Sequence, residues 1–162
     1  MINFDIPNGR FNFRVAGLIF DSGRVLIHRL KCDDFYALPG GRVEAMESTE
    51  TTLIREMQEE LNITVKTERL LWVGEQFFHT EGTRFHEICF YYLLKTADPN
   101  LRTSETIFET TEDGREYEFK WVELDKLKNE NFYPAFMRTE ITNLPEHTEK
   151  FVEVDNVLQE GS

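Results

Sequence analysis

Basic residues are scarce in this chain. Its 162 residues carry 18 Lys and Arg against 30 Asp and Glu, a formal net charge of -12. Nucleic-acid and membrane surfaces call for clustered positive charge, so that balance argues against both partners. Cysteine is scarcer still. Cys32 and Cys89 show neither metal-ligand spacing nor a disulfide framework, and a reduced, cytoplasmic setting is expected. No apolar run is long enough to cross a bilayer, and the opening MINFDIPNGR lacks the hydrophobic stretch of a signal peptide. Repeats, low-complexity tracts and dividing linkers are also missing. What remains is 40% hydrophobic and 13% aromatic, enough for a sizeable core, and one domain over residues 1–162 is expected.

Strand signals dominate. Residues 11–20, FNFRVAGLIF, read as a strand, with RVLIHRL (24–30) as its hairpin partner across Asp21-Ser22-Gly23. Residues 65–79 and 84–95 form two more, the second central by its apolar density. From 96 to 115 the periodicity fades into a long exposed loop, with a short strand at Ile107 and Phe108. EYEFKWVEL (116–124) returns to strand. A short helix is expected at 125–129, a longer one from Pro134 to Leu144, and an edge strand at 151–154. Gln159 to Ser162 should fray.

Residues 39–63, PGGRVEAMESTETTLIREMQEELNI, stand apart. Pro39-Gly40-Gly41 marks a loop. Ser48 or Thr49 caps a helix whose apolar stripe is Leu53, Met57 and Leu61. Asn62 tolerates the left-handed conformation at its end. Glu56, Glu59 and Glu60 lie three and four residues apart and are neighbours on the helix surface. Like charges so placed repel unless a cation fills them, and carboxylate oxygens suit Mg²⁺ or Mn²⁺ better than zinc. Arg55 and Glu59 make an i,i+4 pair, with Glu47 upstream to share the arginine.

Gly41, Glu47, Arg55, Glu56, Glu59 and Glu60 resemble the Nudix box, G-x5-E-x7-R-E-U-x-E-E-x-G-U, with Met57 and Ile63 at the bulky aliphatic positions and Asn62 in place of the last glycine. The resemblance, over residues 41–63, implies an α/β fold: a Nudix-type α/β/α sandwich with a mixed β-sheet. It implies a pyrophosphohydrolase that cleaves a diphosphate linkage in a nucleoside diphosphate derivative, by metal-activated attack of water on phosphorus. Mg²⁺ is the implied cofactor, with Mn²⁺ as a substitute. Glu59 and Glu60 become metal ligands, Glu56 a ligand or the base, and a carbonyl of Gly40 or Gly41 a further ligand. Glu47 and Arg55 tie loop to helix and aim the acids, so Glu47, Arg55, Glu56 and Glu59 form the expected catalytic set. The alternative is a non-catalytic Nudix-fold module that binds a ligand or a partner, although such modules usually lose box acids.

Outside the box, Glu75, Glu87, Glu116 and Glu118 are candidates for a further acid. Glu87 interrupts an apolar strand and should face water or a site, since an unpaired buried carboxylate is costly. Arg14, Arg29 and Lys31 are candidate phosphate contacts. His28, His79 and His86 are weaker ones. Arg29, Phe77 and Glu87 are the expected substrate-binding residues, Phe77 as a base-stacking ring. The proline that the resemblance leads one to look for in ADP-ribose enzymes is absent where Phe78 and His79 stand. A small nucleotide-like substrate is the expected partner, and a homodimer is left open.

Overall fold

The computed structural model describes residues 1–155, so the ends of the chain expected to fray lie outside the described residues. Its strands are β1 (Asn3–Ile6), β2 (Gly9–Leu18), β3 (Phe20–Asp21), β4 (Arg24–Leu30), β5 (Gly40–Arg42), β6 (Lys66–Thr80), β7 (Thr83–Lys95), β8 (Ile107–Glu112), β9 (Arg115–Glu123) and β10 (Glu149–Val154). The helices are α1 (Thr49–Leu61), a 3-10 turn at Leu124–Asn129 and the short α2 (Met137–Glu140).

Two sheets make the middle layer. The first runs β1-β2-β7-β6-β10, with β5 beside β2. It is mixed: β2 and β7 are parallel, as are β6 and β10, while β6 and β7 form a long antiparallel hairpin. The second runs β3-β4-β9-β8 and is antiparallel. Three hairpin turns need two successive residues at positive φ: Ser22-Gly23, Glu81-Gly82 and Asp113-Gly114. That is the geometry that matches strand twist, and glycine supplies its second position in each.

Both faces of this layer are covered. On one side α1 lays Leu53 and Met57 against Val15, Tyr92, Leu94 and Phe119. On the other, Ala16, Leu38 and Tyr91 pack with Leu127, Phe132 and Met137 from the 3-10 turn and α2. Each fully buried aliphatic side chain contributes about 1.5–3 kcal/mol. The result is the α/β/α sandwich the resemblance implies.

Several expectations need correction. β4 is not the hairpin partner of the long N-terminal strand. Only Phe20-Asp21 folds back on it, while β2 pairs with β7 and β4 with β9 in the other sheet. The helix expected over Pro134 to Leu144 shrinks to Met137–Glu140, and Pro134 lies outside it. The long loop is shorter than expected, because β8 runs on to Glu112 and pairs with β9. An N-terminal hairpin, β1 with β2, turns at Pro7-Asn8, where Asn8 has φ 67°.

α1 ends on Asn62 in the left-handed region, φ 55° and ψ 42°, its N–H donating to the Gln58 carbonyl. Gln58 Nε2 also donates to Asn62 Oδ1 at 2.8 Å. Asn62→Val should cost about 1–2 kcal/mol, because a branched side chain is strained there, and Asn62→Gly should stay within about 0.5 kcal/mol of the parent. Urea melts of both variants check this.

Candidate active site

The site is built where the β5 edge meets α1. Ser48 caps the helix by accepting the Thr51 N–H at 3.1 Å. Leu53 and Met57, fully buried, set which way the helix faces. The acids on the remaining arc are then turned toward β5 and the β8–β9 hairpin. Arg55 lies among them. Its Nη2 donates to Glu47 at 2.9 Å, and Nη1 reaches Glu59 at 3.3 Å and Glu56 at 3.5 Å. The hydrogen bond from Arg55 holds the Glu47 carboxyl below its usual range.

Among the described residues, one carboxylate oxygen each from Glu56, Glu59 and Glu112 lies within 4.8 Å of the others. Burial pushes the Glu56 carboxyl up to about 7, with the charges of Glu59 and Glu112 adding to it. Glu112 is raised for the same reasons, burial first and then Glu59. Gly41 makes room for this crowd. A Cβ there would sit 2.5 Å from Glu56 Cδ. Three convergent carboxylates, one of them seated in the space that Gly41 leaves, fit a hard divalent cation, which takes oxygen ligands.

Glu60 goes elsewhere. It is 6% exposed and its Oε2 lies 3.6 Å from Nδ1 of His28, itself 7% exposed. Neither atom makes a hydrogen bond among the described residues. Burial raises Glu60 well above the ordinary range, and burial together with the Arg14 charge lowers His28 to about 3. Gly40 is equally constrained, since a Cβ there would lie 2.0 Å from the Val15 carbonyl oxygen.

The other candidates scatter. Arg29 is bound to Glu118 at 3.0 Å, and Glu118 also accepts the Tyr36 hydroxyl. Lys31 is paired with Glu109 at 3.0 Å and Glu75 with Lys150 at 3.1 Å. Glu87 faces neither water nor the acid cluster. It is 6% exposed and accepts from Asn12 Nδ2 at 2.6 Å. Phe77 packs on His86, ring centroids 4.5 Å apart, whereas its neighbour Gln76 stands opposite Glu87. Successive strand residues point to opposite faces. Phe77 and Glu87 therefore lie on opposite faces of the β6–β7 hairpin.

Two functional candidates escaped the sequence reading. Glu112 was hidden in the expected loop, although Asp113-Gly114 is a strong hairpin signal that would have placed Glu112 opposite Arg115. Arg42 follows the box glycines and stands opposite Arg14 on β2. Burial and the charges of Arg10 and Arg115 lower its pKa.

A family model described as NUDIX domain matches residues 10–141. The chain belongs to the NUDIX domain family. Over 108 residues it is 30% identical to an ADP-ribose pyrophosphatase of Methanocaldococcus jannaschii, a stretch that is 65% of this chain and 59% of the relative. The chain thus spans less than two thirds of that protein. Its fold is shared with a MutT NUDIX hydrolase from Burkholderia pseudomallei, at TM-score 0.60 and 24% identity over 80% of this chain and 96% of that one. It is shared too with a MutT protein from Bacillus halodurans, at TM-score 0.59 and 17% identity over 90% and 92%.

Gly41→Ala should displace the Glu56 carboxylate and weaken Mn²⁺ binding about 10–100-fold with the fold kept, the scale seen when ligand positioning is lost. Calorimetric titration with Mn²⁺ checks it. In chelator, the protein should gain stability as pH falls from about 7 toward 5. Glu56 binds its proton more tightly folded than unfolded, so folding takes up a proton in that window. Melting temperatures across that range test the sign.

Proposed function

We propose that this protein is a Mg²⁺-dependent pyrophosphohydrolase, with Mn²⁺ as a substitute, that cleaves a diphosphate linkage in a nucleoside diphosphate derivative. The observation that carries this reading is the convergence of Glu56, Glu59 and Glu112 within 4.8 Å, with the Glu56 carboxylate seated against Gly41. A non-catalytic module would have no need to keep every box acid and crowd them so. The similarity to an ADP-ribose pyrophosphatase supports the substrate class.

Glu56, Glu59 and Glu112 would hold the metal, with a carbonyl of Gly40 or Gly41 alongside and Glu60 in reserve behind them. A bound divalent ion supplies Lewis acidity and a water of lowered pKa. The chain supplies the rest. Arg55 and Glu47 fix the Glu56 and Glu59 side chains, so that little reorganisation is left for the reaction. Glu56 would serve as a ligand or, where it is not bound to the metal, as the base that takes a proton from the attacking water. Burial of Glu60 and His28 keeps bulk water from the back of the site. The free cysteines and the acidic balance fit a cytoplasmic setting.

Glu59→Gln should lower turnover at least about 100-fold and Glu112→Gln about 10–100-fold, with melting temperatures near the parent's. A panel of nucleoside diphosphate derivatives with Mg²⁺, scored for released products, provides the measurement. Near-parental turnover in a folded Glu59→Gln protein would reject the site.

A further inference from the structure

The groove that holds the acids runs on past Glu59. A cavity of about 260 Å³ opens there, between the C-terminal half of α1, β8 and the turn at residues 100–102. Phe108, Thr110 and Glu112 alternate along β8 and share its inward face. Glu112 belongs to the acid cluster, and Thr110 stands in the cavity wall, roughly 7 Å further along the strand. On α1, Glu59 is common to cluster and cavity, and Glu60 and Asn62 carry the wall on toward the helix end. A ligand held at the cluster can therefore extend into the cavity.

The walls are polar but have no positive charge to spare. Arg102 is the one cation among the described residues that line the cavity, and it is already engaged. Its Nη2 donates to both carboxylate oxygens of Glu105, at 3.0 and 2.9 Å, and Nη1 donates to the Glu109 carbonyl at 3.3 Å. Its Cζ lies 4.4 Å from the centre of the Phe108 ring. A terminal phosphate, which carries about -1.5 to -2 at pH 7, would meet Glu59 and Glu60 with no free cation to balance it. Hydroxyl groups fit better. Thr110 Oγ1 and Glu60 Oε2 are buried in the wall residues and have no hydrogen-bond partner among the described residues. Buried polar groups are ordinarily paired. A hydroxyl group can donate to the Glu60 carboxylate and can donate to or accept from Thr110. Leu101 and Phe108 add an apolar side for the C–H face of a ring.

We propose that this cavity is a subsite for a neutral, hydroxyl-bearing ring attached to the far side of the diphosphate, and that Thr110 is a specificity-determining residue in it. The substrate class is then the nucleotide sugars, with the nucleoside triphosphates disfavoured. This rests on the pyrophosphohydrolase reading and narrows it.

The test compares the parent with Thr110→Val, which removes the hydroxyl, and Leu101→Trp, which fills the cavity. With Mg²⁺ present, kcat and KM are measured for nucleotide sugars of the common bases, for the matching nucleoside diphosphate β-methyl esters and for the triphosphates. Binding of ribose 5-phosphate and of methyl phosphate is measured by calorimetry under the same conditions. The parent should favour a nucleotide sugar over its methyl ester by at least about 10-fold in kcat/KM, because a site built to bind a hydroxyl group rejects the analogue that lacks it. Thr110→Val should raise KM for the nucleotide sugar at least about fivefold, the scale of one lost hydrogen bond, and leave the methyl ester within about twofold. Leu101→Trp should abolish the preference. An absent preference, equal losses on both substrates in Thr110→Val, or hydrolysis confined to triphosphates overturns the subsite and leaves the hydrolase reading intact. If the parent hydrolyses no nucleotide at all, that reading fails and the binding arm decides: tighter binding of ribose 5-phosphate than of methyl phosphate, lost in Thr110→Val, upholds the subsite, and equal binding rejects it. Thr110→Val is nearly isosteric and removes a hydroxyl that has no partner, so it keeps the fold and decides the matter should Leu101→Trp misfold.

Discussion

The site depends on forcing carboxylates together against their repulsion. Like charges at helical spacing destabilise by a few tenths of a kcal/mol per pair on an exposed helix, and by more as they are buried. Against this, Leu53 and Met57 are wholly buried and contribute about 1.5–3 kcal/mol each. Packing therefore wins, and the helix keeps its acids where the core puts them. Arg55 relieves part of the repulsion by touching Glu47, Glu56 and Glu59 at once. The remainder is repulsion that a bound cation would relieve.

β5 divides the site by the simplest property of a strand. Gly41 turns toward Glu56 and, lacking a side chain, leaves room for its carboxylate. Arg42, one residue later, turns to the other face and meets Arg14. The β8–β9 turn adds Glu112 to the acids from the opposite sheet and sets Arg115 directly across from it, where its charge acts on both Glu112 and Arg42. Arg14 sits between the two halves, since its charge acts on His28, Glu56, Glu60 and Glu87 alike.

How much of this could be read beforehand followed from how local each feature is. The box helix was legible because its cap, stripe and acids are all set within a few turns of chain. The strands were legible from apolar density, and the sandwich from the family resemblance of the box. Glu112 was not, because its place depends on a hairpin whose strand, IFETTE, carries little apolar periodicity. The helix after Pro134 was overread from proline's liking for first turns, whereas tertiary packing of Phe132, Phe136 and Met137 fixes that segment. Glu87 was legible as an anomaly but not in its resolution, since Asn12 is distant in sequence and adjacent only through parallel pairing. β4 was given to the wrong sheet because hairpin logic looks to the nearest strand, and here the chain crosses between sheets at β3.

The overall charge then takes on a limited meaning. A net -12 would seem to repel a polyphosphate, yet exposed charges farther apart than about 8 Å are largely screened at physiological ionic strength. What an incoming anion feels is the lining of the groove. There the arginines oppose the acids at close range, and Glu56 and Glu60 carry less charge than their number suggests, because burial favours their protonated forms. An acidic exterior is therefore compatible with the proposed nucleotide substrate, because distant exterior charges would be screened from the site.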